Sequence, residues 1–311
     1  MKKMQQMYRE HQAWCWMGGI GVAAAIVGVI PLSMADSDGR LQVVEDQALP
    51  DQIELVATIR DFKAEYEPGG HPDFERWYDS TRVGMVEDEL GDDGKPVLKS
   101  QTGYRITSEY RDAHGRNINP ALYDPDLGDR IGSLEKRSDI RYESEDRFNQ
   151  WYRDVPGVNV TINVPIVLTR VPDTNQYVFD SDTDAPYSSL GGFFPINGQG
   201  WGNFRDNKNY HFTTEIVTTF TYREGIGQTF KFTGDDDVWV FIDGKLAIDM
   251  GSLHSKREQF IDLDRLGLTD GRNYDLHVFH AERRYSGSNF RIETTLQLRN
   301  GQLPTNSGLY D

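Results

Sequence analysis

Three consecutive carboxylates, Asp235, Asp236 and Asp237, stand directly before a run of aromatic and β-branched residues, residues 238–242. Adjacent negative charges repel one another, and unpaired charge beside a buried strand is costly. A hard cation such as Ca²⁺ would neutralise them, with further oxygen ligands from backbone carbonyls and Asn side chains of a neighbouring loop. Because alternate residues of a strand face opposite sides, such a site needs a turn, and Gly234 supplies the flexibility for it. A solvated acidic turn at a strand end is the alternative.

A second acidic array, Asp180, Asp182 and Asp184, begins with the spacing of an EF-hand loop. That loop needs Gly at its sixth position and Glu at its twelfth, where this sequence has Ala185 and Gly191. We therefore expect a solvated loop here rather than a calcium site.

Four residues in the C-terminal part of the chain could suggest zinc: His254, His277, His280 and Glu282. His277 and His280 are an odd number of positions apart on a predicted strand, so they face opposite sides and cannot share a metal without a bulge. His280 and Glu282 do share a face. We expect a buried, hydrogen-bonded histidine that fastens the sheet, with a metal site or a catalytic role as the less favoured interpretations.

Motifs of common hydrolytic and phosphate-binding sites are missing from the sequence. It contains no G-x-S-x-G elbow, no H-E-x-x-H and no phosphate-binding loop. The many carboxylates leave a glycosidase pair open, because that chemistry needs only two Asp or Glu residues. We predict a binding protein and not an enzyme, with polysaccharide hydrolysis as the least favoured function.

Aromatic residues are frequent in segments that are also rich in Gly, Asn and Ser, which indicates loops. Rings beside amides and carboxylates suit a sugar, whose C–H face stacks on the ring while its hydroxyls make directed hydrogen bonds. The alternative is that these rings cap the ends of the core. They are Trp77, Tyr78, Tyr187, Phe193, Phe194, Trp201, Phe204 and Tyr210.

The composition is that of an acidic chain of 311 residues with a formal charge of −16, of which 37% are apolar and 12% aromatic. This apolar content is enough for a sizeable core, in one large all-β domain or two ordinary domains. No nucleic-acid partner is expected, because phosphate binding needs clustered Lys and Arg. Cations, or neutral polar ligands such as sugars, fit this charge better.

The N-terminal segment has the layout of a secretory signal peptide. Basic residues precede an apolar run at residues 13–32, and small residues then lead to a cleavage position after Ala35. An uncleaved membrane anchor is the alternative, because roughly 20 apolar residues span a bilayer. Cys15 is the only cysteine, so cleavage would leave a domain without disulfides or thiolate ligands. We expect export to the cell surface or the exterior.

Two-residue alternation of apolar side chains predicts strands over most of the remaining chain. One ladder covers residues 53–59, and the longest covers residues 158–168, where Pro165 indicates an edge or a bulge. Asp243 and Gly244 are typical of a type I′ hairpin turn, in which both positions need positive φ. Many short strands and few helices predict an all-β sandwich. Further strands are expected at residues 212–222, 228–233, 238–242, 245–249, 259–263, 274–281 and 290–298.

The predicted organisation is one domain, residues 51–299, which follows the signal peptide of residues 1–35 and a polar linker at residues 36–50. A polar tail covers residues 300–311. Inside the domain, the irregular residues 84–142 are expected to form long loop insertions without a core of their own. Short helices are expected at residues 72–79 and 143–153.

Several motifs, in their order along the chain, resemble the fibro-slime domain, a relative of the PA14 β-sandwich found in exported bacterial and slime-mould proteins. The resemblance covers residues 49–298 and implies an all-β, PA14-like antiparallel β-sandwich with long loop insertions and few short helices. The motifs are ATIRDF at 57–62, HPDFE at 71–75, FNQWYRDVPGVN at 148–159, FFPI at 193–196, FTGDDDVWVFIDGKLAIDMG at 232–251 and FHAERRYSGSNFRIETTL at 279–296.

The resemblance also implies a calcium site. In sugar-binding members of the wider PA14 group, two adjacent aspartates joined by a cis peptide hold Ca²⁺, and the ion binds the sugar hydroxyls. Counted back from the hairpin turn, this pair falls on Asp235 and Asp236, and the partner loop looks like residues 285–289, with Asn289 as the side-chain ligand. Asp237 departs from the pattern, because those members have a small residue there. It would either add a ligand or crowd the sugar site.

The candidate sugar contacts are Tyr187, Trp201 and Phe204, together with Tyr285 and Ser288 of the partner loop. The expected function is a secreted, calcium-dependent carbohydrate-binding adhesin module at a cell surface or appendage tip, with a glycan or polysaccharide as its partner. The alternative is a structural or assembly subunit of an appendage or matrix that contacts other surface proteins and uses calcium only to stabilise loops. A membrane is expected as a partner only if the N-terminal segment stays uncleaved.

Overall fold

The structure is a computed structural model that describes residues 49–76 and 80–301, together with the pairing of two short strands, β1 (Met34–Ala35) and β2 (Leu41–Gln42). The chain divides into two units, Met1–Ala48 and Leu49–Asp311. Apart from these strands, the predicted signal peptide and linker lie outside the described residues, as do Trp77, Tyr78 and most of the predicted polar tail. In the described part, no helix is long and apolar enough to cross a membrane.

The larger unit is built mainly from antiparallel strands. They are β3 (Gln52–Asp61), β4 (Arg82–Val83), β5 (Tyr104–Ser108), β6 (Ser133–Lys136), β7 (Val160–Arg170), β8 (Tyr177–Asp180), β9 (Phe212–Thr221), β10 (Thr229–Gly234), β11 (Asp237–Ile242), β12 (Lys245–Met250), β13 (Arg257–Asp262), β14 (Asn273–Glu282) and β15 (Phe290–Thr294). The described helical elements are short: α1 (Glu145–Phe148), α2 (Tyr187–Leu190) and 3₁₀ turns at Pro120–Leu122, Pro125–Leu127 and Leu263–Leu266.

Ten of these strands form one antiparallel sheet in the order β12, β11, β14, β9, β3, β7, β8, β15, β10, β13. The sheet folds over between β7 and β8, where only Thr169 and Arg170 of β7 pair with β8. Six strands therefore make one layer and four make the other, with a shared apolar core between them. The two ends of the sheet meet where the Gln259 side chain of β13 bonds the Asp249 backbone of β12. The predicted all-β sandwich is confirmed.

A second apolar cluster covers the outer face of β11 and β14. Trp239 and Phe279 contribute to it from these strands, and Phe74, Tyr142 and Trp151 contribute from the loops that lie over them. Every residue of β11 is buried as a result. Burial on both faces explains why this strand has a continuous apolar sequence instead of an alternating one.

Several local predictions are confirmed. Pro165 lies in the part of β7 that pairs only with β3. The other edge of β7 is unpaired there, so the missing N–H of proline costs no hydrogen bond to a strand on that edge. Asp243 and Gly244 join β11 to β12 with φ values of 53° and 73°, as a type I′ turn requires. Asp243 tolerates this left-handed conformation better than most residues with a side chain.

Two helix predictions fail in the described residues. Residues 72–76 form turns and bends, and the helix expected at residues 143–153 is limited to α1. Phe148, Trp151 and Tyr152 are all buried in or beside the second cluster. Because adjacent residues such as Trp151 and Tyr152 point in different directions on a helix, turns place both rings in the cluster better than a longer helix would.

The segment at residues 84–142 is also more ordered than predicted. Strands β4, β5 and β6 pair into a small antiparallel sheet. Met85 and Val86 pack into the second cluster, so this segment shares a core with β11 and β14.

Candidate functional site

The three carboxylates lie where the chain crosses from one layer of the sandwich to the other. Strand β10 ends at Gly234 and β11 begins at Asp237, and these strands belong to different layers. Asp236 makes the crossing with a φ of 56°, in the left-handed region. The peptide bond between Asp235 and Asp236 is trans, which differs from the cis bond implied by the family resemblance.

Asp235 is held by the loop at residues 285–289. One oxygen of its carboxylate accepts from the Asn289 backbone N–H, and the other accepts from Asn289 Nδ2 at 2.6 Å. Gly234 allows this close approach, because a Cβ at that position would lie 2.7 Å from the Asn289 carbonyl oxygen. The structure therefore brings together Asp235 and Asn289, two residues that the family resemblance implied as ligands of one ion.

His280 of β14 holds the same crossing by a hydrogen bond to its backbone. Its side chain is buried on β14, and its Nε2 lies 3.2 Å from the Asp235 carbonyl oxygen, to which it donates. Burial lowers the pKa of His280 to about 3, so the ring is neutral at physiological pH. This matches the expected role of a hydrogen-bonded histidine that fastens the sheet.

The carboxyl group of Asp236 lies near that of Glu282, the last residue of β14. Oδ2 of Asp236 accepts from the Arg283 backbone N–H at 2.8 Å. Burial raises the pKa of Asp236 well above its usual value, and the neighbouring Asp235 raises it further. Burial likewise raises the pKa of Glu282, followed by the effects of Asp236 and Asp235. Two further buried oxygens, Glu282 Oε2 and Ser288 Oγ, have no well-formed hydrogen bond to any described residue.

Asp237 points to the opposite side, into the second apolar cluster. Its Oδ2 accepts from Arg283 Nε at 2.6 Å, and both side chains are fully buried. Its Oδ1 accepts from the Ser252 N–H at 2.6 Å and from the hydroxyl of Tyr142. The Arg283 guanidinium also donates to the Asp73 carbonyl and lies 4.8 Å from the centre of the Trp151 ring.

Arg283 is the functional residue that the sequence analysis missed. Strand register could have identified it, since Ala281 lies opposite Asp237 and alternation places residue 283 on the same face. The third carboxylate is thus neutralised by an arginine, and we leave it out of the proposed ligand set. No basic side chain of the described residues forms an ion pair with Asp235 or Asp236.

The predicted sugar contacts fall into two groups. Tyr285 and Phe204 are partly exposed near the loop at residues 285–289: the Arg205 guanidinium lies 4.2 Å from the Tyr285 ring centre, and Phe204 packs 4.5 Å from His211. Trp201 is 42% exposed, with the Lys63 ammonium 4.2 Å from its ring.

The other predicted contacts are buried. Tyr187 packs in the main core against Phe179 and Phe193, and Ser288 accepts a backbone hydrogen bond from Phe193. Phe193, Phe194 and Tyr210 are buried as well, so these rings cap the sandwich, as the alternative interpretation proposed. Tyr187 is only 6% exposed, which leaves little of its ring for stacking on a sugar.

The site offers oxygen donors from two carboxylates, one amide and the nearby backbone. Among the described residues, no three His, Cys, Asp or Glu side chains form a ready-made metal cluster. The candidate donors Asp235, Asp236 and Asn289 include no imidazole and no thiolate, so zinc and other metals that prefer nitrogen or sulfur match this donor set poorly. Ca²⁺ takes carboxylate, amide and carbonyl oxygens in irregular geometry, so the donor set of Asp235, Asp236 and Asn289 fits this ion.

The acidic loop at residues 180–184 is held by internal hydrogen bonds and ion pairs, and Asp180 is buried instead of solvated as expected. Asp184 accepts from the Asp180 N–H, and the carboxylate of Asp180 is paired with Arg291. Asp182 is exposed and pairs with Lys256.

Comparison with known proteins finds one family model that matches the C-terminal part of the chain. Residues 199–305 match the family model described as PA14 domain. This range includes Asp235, Asp236, Arg283 and Asn289. The residues of the candidate site thus lie within the range that matches the PA14 model.

Similar proteins occur in Dictyostelium discoideum. Protein psiD is 34% identical over 260 residues, which are 80% of this chain and 42% of that protein, and protein psiQ is 42% identical over 168 residues, or 50% and 16% of the two chains. This chain thus spans less than half the length of these relatives.

Two solved structures share a distant likeness. The PA14 domain of the antifreeze protein MpAFP is 10% identical with a TM-score of 0.26, and the alignment covers 84% of this chain and 99% of that one. A β-glucosidase from Kluyveromyces marxianus in complex with glucose is 12% identical with a TM-score of 0.24, over 73% and 20% of the two chains.

Proposed function

We propose that this chain is an exported, fibro-slime-type binding module that recognises a glycan with the help of one Ca²⁺ held by Asp235, Asp236 and Asn289. The proposal rests on one observation. Asp235, Asp236 and Glu282 are buried carboxyl groups that interact with one another, and no basic side chain of the described residues lies within ion-pair distance of them. Arg283 has its ion pair with Asp237 instead.

The raised pKa values support a cation at this place. Without an ion, burial raises the pKa of both Asp235 and Asp236 and favours their protonated forms, and the charge of Asp235 raises the pKa of Asp236 further. A divalent cation replaces those protons and offsets the repulsion. Once bound, Ca²⁺ would neutralise both carboxylates and offer its remaining coordination positions to sugar hydroxyls.

The rim residues would bind the rest of the sugar. Tyr285 and Phe204 present partly exposed rings for the C–H face of a pyranose. Arg205 lies over Tyr285 and supplies hydrogen-bond donors for hydroxyl oxygens. Trp201, which is 42% exposed, is a further candidate for a sugar contact. We assign no catalytic residue, because binding accounts for every group in the site.

A second function, a structural or assembly subunit, is favoured by the burial of the site. Asp236 is only 6% exposed, and the loop at residues 285–289 lies over Asp235. An ion in such a place would join this loop to the β10–β11 crossing even without a ligand. In this case calcium would raise the melting temperature, and no glycan would bind.

Glycan-array binding of the full chain, with calcium and with excess chelator, tests the proposal. We expect binding to specific glycans that is lost with the chelator and in Asp236→Asn. Asp182→Asn is the matched control, because it removes an exposed carboxylate from the other acidic segment and leaves the site intact. Binding that survives chelation would contradict the calcium mechanism, and calcium-dependent melting without glycan binding would favour the structural function.

A further inference from the structure

A cavity lies on the face of the β11–β12 hairpin that is turned away from the proposed calcium site. Its volume is about 520 Å³, within the range of small-molecule sites. Its floor includes Val83, Leu246 and the carboxyl group of Asp249. Asp249 pairs with Trp239 across the hairpin, so it faces the side of Asp237 and not that of Asp236. This cavity is therefore distinct from the proposed calcium site.

The walls combine aromatic and polar groups. Tyr104 of β5, which is 43% exposed, stands on one side with Lys136 of β6 next to it in the small sheet. Tyr110 and Asn119 line the other side. The described residues provide no ion-pair partner for Lys136, so its ammonium is available to a ligand.

Asn119 supplies the strongest indication that a ligand belongs here. Its side chain is 2% exposed, and its Oδ1 accepts from the Ala121 N–H. The Nδ2 of the same amide is buried and has no hydrogen-bond partner among the described residues, and Asn119 is one of the residues that line the cavity. Buried amide donors in folded proteins are nearly always paired, so an acceptor in the cavity is expected.

Asp249 adds a buried acid at the floor. Its Oδ2 accepts from the Gly84 N–H at 2.7 Å and its Oδ1 accepts from Trp239 Nε1 at 3.1 Å. Burial raises the pKa of Asp249 to about 7. The group therefore has a proton to donate in mildly acidic solution and accepts hydrogen bonds in either form.

We propose that this cavity binds one pyranose unit of a polysaccharide, independently of calcium. The ring of Tyr104 would stack on the C–H face of the sugar. Asn119 Nδ2 would donate to a ring or hydroxyl oxygen, Asp249 would bond a hydroxyl, and Lys136 would reach the outer edge of the sugar. A carboxylate on that edge would pair with Lys136, so a uronate is the favoured form of the pyranose.

Titration of the full chain with neutral hexoses and with hexuronates, followed by ligand-observed NMR in excess chelator, tests this site. The chelator silences the proposed calcium site, so the two sites are measured separately. We expect saturable binding that is at least tenfold weaker in Tyr104→Ala and in Asn119→Asp. The second variant keeps an oxygen acceptor for the Ala121 N–H and replaces the amide donor with a second carboxylate oxygen, which would also repel a uronate.

Tyr66→Ala is the control, because Tyr66 is an exposed aromatic residue (66%) that does not line the cavity. Equal affinity for hexoses and hexuronates would remove the role of Lys136 and leave the pyranose site. Absence of any binding in chelator, or binding that neither variant weakens, would overturn the inference. Calcium-dependent glycan binding in the same preparation would show that only this second site is wrong.

Discussion

Three adjacent aspartates occupy three different environments in this protein. Asp235 is bonded by the loop of Asn289, Asp236 faces Glu282 with only a backbone donor, and Asp237 has a buried ion pair with Arg283. The charge of the third residue is therefore balanced inside the fold. The first two carry the repulsion that a cation would relieve.

The ion pair of Asp237 and Arg283 leads to a prediction about stability. Asp237→Asn keeps the size of the side chain but leaves a buried guanidinium without its counter-charge. Removing one partner of a buried pair costs about 3–5 kcal/mol. We expect a loss of this size in the free energy of unfolding, measured by urea denaturation. Asp182→Asn, which breaks an exposed pair, should change it by less than about 1 kcal/mol; equal effects of the two variants would contradict this account.

Individual residues differ in how far their sequence predicts their role. The positive φ of Asp243 and Gly244 follows from local turn chemistry and was predicted. Tyr187 was predicted to contact a sugar, but it packs in the core. Local composition marks such a segment as a loop, whereas the burial of one ring depends on which distant strands lie beneath it. The pairing of Arg283 with Asp237 could have been predicted from the register of β14 against β11.

At the scale of elements, the β10–β11 crossing depends on the absence of a side chain at Gly234. A methyl group at residue 234 would lie 2.7 Å from the Asn289 carbonyl oxygen and 2.6 Å from the Phe232 ring. The backbone of Asn289 would have to move away from Asp235. The loop at residues 285–289 can thus pack closely against the end of β10 only because residue 234 has no side chain.

Gly234→Ala should therefore destabilise the protein by about 1–3 kcal/mol, as overpacking of a close contact does. It should also weaken calcium binding, because it separates Asn289 from Asp235. Gly287→Ala is the control: its Cβ would meet Asp235 Oδ2 at 3.6 Å, an ordinary contact distance. Thermal melting of both variants in chelator measures the packing effect, and equal melting temperatures would argue against it.

The β11–β12 hairpin contains a buried acid whose titration affects stability. The folded-state pKa of Asp249 is raised from 3.8 to about 7 by burial. A raised carboxyl pKa means that the folded state holds the proton more tightly than the unfolded chain. The contribution of Asp249 is therefore most favourable below about pH 4 and declines as the pH rises towards 7.

Asp249→Asn removes this titration and leaves a side chain of the same shape. The amide cannot accept from both the Gly84 N–H and Trp239 Nε1, so the variant pays a constant cost at every pH. We expect the stability of the wild type relative to this variant to fall between pH 4 and pH 7. Urea denaturation at intervals across this range measures the difference, and a constant difference would show that Asp249 is not titrating there.

Most strands of the fold could be predicted from the sequence, because alternation and turn residues are local signals. Strands β3, β9 and β14 appear close to their predicted positions. The helices could not be predicted correctly, because Phe148, Trp151 and Tyr152 pack into an apolar cluster with residues of distant strands. The small sheet of residues 82–136 was missed because its strands are short and paired through long connections.

At the scale of the whole molecule, an ion at the crossing would join parts of the fold that are distant in sequence. Asp235 and Asp236 lie between the two layers, and Asn289 belongs to the loop before β15. A ligand that binds only the folded state stabilises it by mass action. At a calcium concentration 100 times the Kd, the expected gain is about 2.7 kcal/mol.

We therefore expect calcium to raise the melting temperature of the wild type in a concentration-dependent way. Mg²⁺ should do so less, because it prefers a smaller, strictly octahedral site and sheds water reluctantly. Scanning calorimetry in chelator, Ca²⁺ and Mg²⁺ tests this expectation. A melting temperature that is the same in all three conditions would argue against an ion in the fold.

The most direct test of the central claim is a calorimetric titration of Ca²⁺ into the chelator-stripped protein. The account predicts one ion per chain at this site, strongly weakened binding in Asp235→Asn and in Asp236→Asn, and unchanged binding in Asp182→Asn. Wild-type protein that takes up no calcium, or calcium binding that both site variants retain, would contradict it.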